Sequence, residues 1–308
     1  MRDTIIQKRT DTEADTMKTA VFDIGGTAIK YGVFEAGKLF SSGECPTEAQ
    51  LGGMSILGKV KSVIREFSKE YKIDRIGIST AGQVDSDKGV IKYANPNIPD
   101  YTGLRIKEIL TEEFNIPVAV ENDVNAAAIG EAVHGAGKNT DDFLLLAYGT
   151  GIGGAIFADG KIYHGSGYSA GEMGAIITHP EDRNPDADIM SGCYERYASS
   201  TALVKLSKEY DTTLTNGRVI FERFDDEKVK KIIDEWIDEV VFGLASVVHI
   251  FNPSAIILGG GIMEQDYIIE EVEKRLKTNI MESFRNVLIK KAMLGNKAGL
   301  FGAAQLFD

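Results

Sequence analysis

The order of secondary-structure signals along this chain occurs twice, and that repetition constrains the fold more than any single motif. Residues 20–24, 29–34 and 38–42 read as three strands, with a hairpin turn at Glu35-Ala36-Gly37. Ile56, Val60, Val63, Ile64, Phe67 and Tyr71 then recur at helical spacing. Next come a buried strand at 76–79, a turn-rich stretch over 81–103, a helix near 104–114 and a strand at 117–120. Asn122 or Asp123 can cap the helix that carries Ala126, Ala127, Ile129 and Val133. Strands at 143–147, 154–157 and 161–163 begin the same order again. An irregular stretch over 164–192 interrupts it. Helices near 194–209 and 227–250, a strand at 255–258, a helix at 265–278, a strand at 286–289 and a short helix at 298–306 complete it. Two consecutive α/β domains with a cleft between them are predicted.

The boundaries that follow are a flexible extension over 1–16, a first domain of 17–123 plus 296–308, and a second of 124–295. Met17 directly precedes the first strand. A chain of 308 residues is long enough for two domains, and 43% apolar with 26% charged residues excludes a disordered or fibrous reading. The net charge of −12 disfavours a nucleic-acid partner, which needs clustered Lys and Arg. No apolar run is long enough for a membrane span, and the N-terminal residues lack the apolar core of a signal peptide. Two cysteines, Cys45 and Cys193, cannot make a disulfide framework, so a cytoplasmic location is expected.

Three glycine-rich turns each follow an apolar run: Asp23-Ile24-Gly25-Gly26-Thr27, Gly149-Thr150-Gly151-Ile152-Gly153-Gly154 and Gly259-Gly260-Gly261. Glycine lets backbone N–H groups approach an anion closely. Gly-Gly alone suffices for a hairpin turn, but it leaves Asp23 unexplained, since an acid beside phosphates can hold a metal or a water. The Thr27 hydroxyl and the turn amides can bond phosphate oxygens. The second turn matches G-x-G-x-x-G, yet the residues after it read as two strands around Asp159-Gly160 rather than a helix. A dinucleotide-binding turn is therefore excluded in favour of a second phosphate-binding hairpin. The third turn reads either as a packed crossover or as bare backbone against a nucleoside. Asp123 suits an N-cap, and it also suits a carboxylate that takes a proton from an attacking hydroxyl during phosphoryl transfer.

These residues resemble the ROK family, which includes bacterial sugar kinases and sugar-responsive repressors. The resemblance runs from about Met17 to the C-terminus. It rests on the first two turns, Glu121-Asn122-Asp123-Val124-Asn125-Ala126, Ala170-Gly171-Glu172-Met173-Gly174, Gly192-Cys193-Tyr194-Glu195 and Leu258-Gly259-Gly260-Gly261. It implies a duplicated actin-like, ribonuclease-H-like α/β fold whose last helix returns to the first domain. It also implies ATP-dependent phosphorylation of a hexose, normally at the C6 hydroxyl, with Asp123 as general base. Asn97, Asn122, Glu172 and Glu195 would hold the sugar. Asp23, Gly25, Gly26, Thr27, Gly149, Thr150, Gly151 and Gly153 would hold the phosphates of Mg·ATP, with Asp23 toward Mg²⁺. Gly259, Gly260 and Gly261 would line the nucleoside. A homodimer is common in the family.

The departures bear on substrate. The family commonly has a histidine, which binds zinc and contacts sugar, where this chain has Ala175, and its Cys-x-Cys-Gly-x-x-Gly-Cys loop is missing. Asp186-Ala187-Asp188 stands near the first two of those cysteines, and only Cys193 remains. One cysteine cannot make a structural zinc site, and a substitute set of His179, Asp186 and Asp188 is disfavoured. No structural zinc is expected; packing would hold the 175–192 loop. Bacterial β-glucoside kinases of the family also lack the zinc motif and end similarly to residues 296–303, which favours a glucoside or a close hexose; N-acetylmannosamine stays open because Gly192-Cys193-Tyr194-Glu195 keeps the sugar-binding Glu. Ala175 opens space for a bulkier group near C1 or C2. The competing classes are a sugar-sensing regulator, for which 16 residues before Met17 are too few to hold a helix-turn-helix domain, and a non-catalytic sugar-binding protein, which has no need of Asp123.

Overall fold

A computed structural model describes residues 17–307, so the extension expected over 1–16 lies outside the described residues. The chain divides into two compact units. One runs to Asp123 and takes back the chain from Gly299; the other is Val124–Ala298.

The first unit contains β1 (Thr19–Ile24), β2 (Ala28–Glu35), β3 (Lys38–Pro46), α1 (Gly53–Glu70), β4 (Arg75–Thr80), β5 (Gln83–Asp85), β6 (Val90–Tyr93), α2 (Ile106–Phe114) and β7 (Val118–Asn122). Its main sheet has the order β3-β2-β1-β4-β7. The β1–β2 and β2–β3 pairs are antiparallel, while β1–β4 and β4–β7 are parallel. The period of two in β1 sends Phe22 and Ile24 to one face, where Ile56, Val60 and Ile64 of α1 meet them, and Val21 to the other. That second face is covered by the returning chain: Val21 and Phe34 pack with Leu300, Ala303 and Ala304. Gly77 permits the approach, because a Cβ there would collide with the Ala303 carbonyl.

Asp123 closes the first unit and is also the first residue of α3 (Asp123–His134). The second unit continues with β8 (Phe143–Tyr148), β9 (Ile152–Ala158), β10 (Lys161–Ile162), α4 (Glu195–Ala198), α5 (Ser200–Tyr210), α6 (Gly217–Glu222), α7 (Glu227–Phe251), β11 (Ala255–Gly259), α8 (Asp266–Asn279) and β12 (Leu288–Lys291). The return helix α9 (Ala298–Ala303) follows. The sheet order is β10-β9-β8-β11-β12, with the same antiparallel and parallel pairings as in the first unit. The two sheets thus repeat one actin-like, ribonuclease-H-like topology. The long helix α7 starts at Asp226, whose side chain accepts from the Lys228 and Val229 amides, and stops at left-handed Asn252 before Pro253. Its buried stripe of Ile233, Trp236, Val240, Leu244 and Val248 covers one face of the sheet, against Leu144, Leu146, Ile256 and Leu258. Ala128 of α3 covers the other, with Phe143, Leu145 and Ile257.

Some expectations are corrected. The turn-rich 81–103 stretch holds the β5–β6 hairpin. The helix near 194–209 is broken at Ser199, which caps α5 by accepting from the Ala202 amide. The strand expected at 286–289 is displaced to Leu288–Lys291, where it pairs with β11. α6 forms on an Asn216 cap that short-range periodicity does not reveal.

Candidate active site

In the first unit, the C-terminal ends of three parallel strands lie in register: Ile24 opposite Thr80, and Thr80 opposite Asn122. The loops leaving them are therefore neighbours, at the edge where α/β sheets bind ligands. The Asp23 turn is fixed from beneath. The buried Thr47 donates its hydroxyl to the Gly25 carbonyl (2.6 Å) and its amide to that of Thr27 (2.9 Å). Gly26 and Thr27 remain exposed. Asp23 accepts from the Ser79 hydroxyl at 2.8 Å through Oδ1, and the Lys30 ammonium stands 3.6 Å from Oδ2. One carboxylate is the kind of donor a Mg²⁺ held chiefly by nucleotide phosphates and water takes from a protein. Among the described residues no group of three or more His, Cys, Asp or Glu side chains is arranged to hold a metal.

Asn122 and Asp123 follow at the end of β7. The Asn122 side-chain amide donates to the Gly82 carbonyl at 3.0 Å and to Asp123 Oδ1 at 2.9 Å. The Asp123 carboxyl is thereby oriented at the N-terminus of α3, where the helix dipole favours negative charge. Tyr101 lies buried nearby with its hydroxyl 2.6 Å from that of Thr80. Burial pushes the Tyr101 phenol up to about 12, and the charge of Asp123 adds to the shift while the Thr80 bond opposes it. Asn97 is exposed, its amide bonded to Asn95 Oδ1 at 3.1 Å, on a loop anchored by buried Ile98 and by the Pro99 carbonyl on the Gly53 amide.

In the second unit, Gly149-Thr150-Gly151 is the β8–β9 hairpin turn, since Tyr148 pairs with Ile152. The third glycine turn lies beside it, with Gly259 opposite Ala147 on the parallel strand β11. Gly260 has φ 105°, and any Cβ there would collide with the Tyr148 carbonyl, so only glycine brings these two turns together. Gly153 lies within β9 against Val124, where an added Cβ would come 2.7 Å from Cγ2. Packing therefore accounts for this glycine.

Glu195 opens α4 and accepts the Ile152 amide at 2.9 Å through Oε2, on the spot a Gly151 side chain would occupy. Glu172 rides a loop pressed onto β9: Gly171 and Gly154 touch backbone to backbone, and Gly174 sits on the Ile152 carbonyl. Glu172 is exposed as a residue, but neighbouring atoms take part of the water from its carboxyl. That partial desolvation first, and the charge of Glu195 second, raise its pKa above its ordinary value.

The 175–193 loop is held by protein groups. Arg183 donates to the carbonyls of Ile189 (2.6 Å) and Ser191 (2.7 Å) and reaches Cys193 Sγ at 3.7 Å. His179 stacks on Tyr197 with ring centroids 3.6 Å apart and faces Glu239 at 3.5 Å. Asp188 pairs with Arg196 at 2.9 Å. His179 and Asp188 are thus engaged separately. A cavity of about 360 Å³ beside this loop is lined by Thr150, Glu195, Tyr197, Thr201 and Lys205, among others. Sequence reasoning missed Ser79, Tyr101 and Arg183, because nothing in their spacing shows what they touch in space.

An uncharacterised protein of Clostridium perfringens is 41% identical over 92% of this chain and 95% of its own length. A beta-glucoside kinase of Listeria monocytogenes is 34% identical over 94% of this chain and 97% of its own. The structure of a ROK family glucokinase from Streptomyces griseus, in complex with glucose and AMPPNP, superposes with a TM-score of 0.79 at 30% identity, covering 94% of this chain and 98% of that one. The ROK family model matches residues 19–308, and the chain belongs to that family.

Proposed function

We propose that this chain is an ATP-dependent sugar kinase that transfers the γ-phosphoryl group to a hexose, at the C6 hydroxyl, with Asp123 as general base. The observation that carries the reading is the oriented Asp123 carboxyl, bonded by Asn122 and set at a helix N-terminus. A sensor or a mere binder has no need of such a base. Asp123 takes the hydroxyl proton as the oxygen attacks phosphorus, an effect worth roughly 10²–10⁴ in rate. Asn97, Asn122, Glu172 and Glu195 hold sugar hydroxyls. The Asp23 and Gly149 turns hold phosphates, and Gly259, Gly260 and Gly261 lie toward the nucleoside. Asp23 would stand toward the Mg²⁺ of Mg·ATP, which would neutralise charge on the transferring group.

A β-glucoside is the favoured acceptor, supported by likeness to a beta-glucoside kinase and by Ala175, which is exposed and small beside Glu172. N-acetylmannosamine and glucose are the alternatives. Use of ATP implies a cytoplasmic enzyme, and the family resemblance implies a homodimer. No described helix is long and apolar enough to cross a membrane. The test is ATP consumption across glucose, mannose, N-acetylmannosamine, N-acetylglucosamine, allose and cellobiose, for the native protein and Asp123→Asn. Turnover with cellobiose above glucose, abolished by Asp123→Asn, is expected. Full activity in Asp123→Asn would remove the base, and glucose ahead of every substituted hexose would remove the β-glucoside.

A further inference from the structure

Glu131 is a fully buried acid that the proposed chemistry does not use. It lies two turns down α3 from Asp123, roughly 12 Å along the axis. Its partners are three backbone N–H groups. Oε2 accepts from Ala136 at 2.7 Å, just past the end of α3, while Oε1 accepts from Met293 at 2.9 Å and Leu294 at 2.8 Å, just past β12. Gly135 leaves room for the carboxyl, since a Cβ there would collide with it.

Lys290 makes the reciprocal connection. It stands on β12 and donates its ammonium to the Ala136 carbonyl at 3.0 Å, with Thr140 Oγ1 at 3.4 Å. An acid on the helix therefore receives the amides that follow the strand, and a lysine on the strand reaches the carbonyl that follows the helix. The chain enters the second unit at Val124, on α3, and leaves it at Ala298, four residues beyond Leu294.

The geometry points to Glu131 and Lys290 as a clamp that fixes the helix headed by Asp123 to the segment leading out of β12, making both positioning residues for the reaction. This part rests on the kinase reading, whereas the clamp itself does not. Glu131→Gln keeps the shape and one acceptor oxygen but sets an amide N–H against a buried N–H, and Lys290→Gln loses the ammonium without introducing bulk.

The experiment measures amide hydrogen exchange and steady-state kinetics on the full chain. The acceptor is the best of glucose, cellobiose and N-acetylmannosamine. In each variant, exchange over 290–298 should rise about tenfold, with β8 and β11 unchanged. kcat should fall several-fold while the sugar KM stays within about twofold, because binding groups are left in place. The double variant should lose less than the product of the two single losses. Unchanged exchange in both variants would dismiss the clamp. An equal rise in β8 and β11 would make the pair ordinary global stabilisation. Raised local exchange with unchanged kcat would dismiss the positioning role. A native protein that phosphorylates none of the three sugars would count against the kinase reading for these acceptors and against positioning, while the exchange data would still judge the clamp.

Discussion

The side-chain amide of Asn122 donates to Asp123 Oδ1 at 2.9 Å, and the same nitrogen donates to the Gly82 carbonyl at 3.0 Å. One fixed amide thus orients the proposed base against the loop after β4. Asn122→Asp replaces that donor with a second carboxylate. Like charges in contact raise the pKa of the base. The acid limb of kcat against pH should therefore move to higher pH by about one unit or more, and an unmoved limb would dissociate Asp123 from the rate.

Gly26 offers a clean separation of folding from binding. A Cβ built there meets nothing within 4 Å, and its φ is ordinary. Gly26→Ala should leave the melting temperature within about 2 °C of native. If the turn holds phosphates as proposed, the added methyl enters their space and the KM for ATP should rise roughly tenfold or more. An unchanged KM would show that this turn does not hold the nucleotide.

Gly151→Ala should behave differently. Its Cβ would displace the Glu195 carboxyl from the Ile152 amide. The sugar KM should rise about tenfold or more, as the hydroxyl partner is lost. If the sugar KM holds while only that for ATP changes, Glu195 is not a sugar residue.

Glu172 gives a pH signature. Its folded pKa is raised above the ordinary 4.5, by partial desolvation of an otherwise exposed side chain and then by Glu195. An acid raised in this way favours folding below its unfolded pKa, and that contribution is lost as pH rises through the folded value. Native stability should therefore fall relative to Glu172→Gln as pH climbs above 4.5. Melting curves of both proteins between about pH 4 and 8 read this directly, and parallel curves would contradict it.

Arg183 staples the 175–193 loop through two backbone carbonyls, and no structural zinc is proposed there. Arg183→Ala removes donors from two backbone carbonyls and should cost roughly 1–3 kcal/mol. Limited proteolysis near 184–190 should quicken. Dialysis against EDTA should leave the melting temperature unchanged, and metal analysis should find no stoichiometric zinc. A full equivalent of zinc would overturn this account of the loop.

The sequence by itself determined the duplicated strand order, because strand alternation, helical spacing and turn residues are short-range signals. It also excluded a dinucleotide turn at Gly149, since an Asp-Gly hairpin is visible where a helix would have to be. Asp23, Asp123, Glu172 and Glu195 stand out as candidate site residues through their motifs. What only the tertiary structure decided is which groups stand beside them. Register places Ser79 next to Asp23, a loop crossing buries Tyr101 against Thr80, and Gly260 fits under Tyr148. Arg183 finds carbonyls up to eight residues away, and Glu131 finds amides more than 160 residues away. For Glu131, Thr80 and Tyr101, which are fully buried, such partners satisfy hydrogen bonds that burial makes obligatory. Burial is a property of the packed chain, and no local window of sequence contains it.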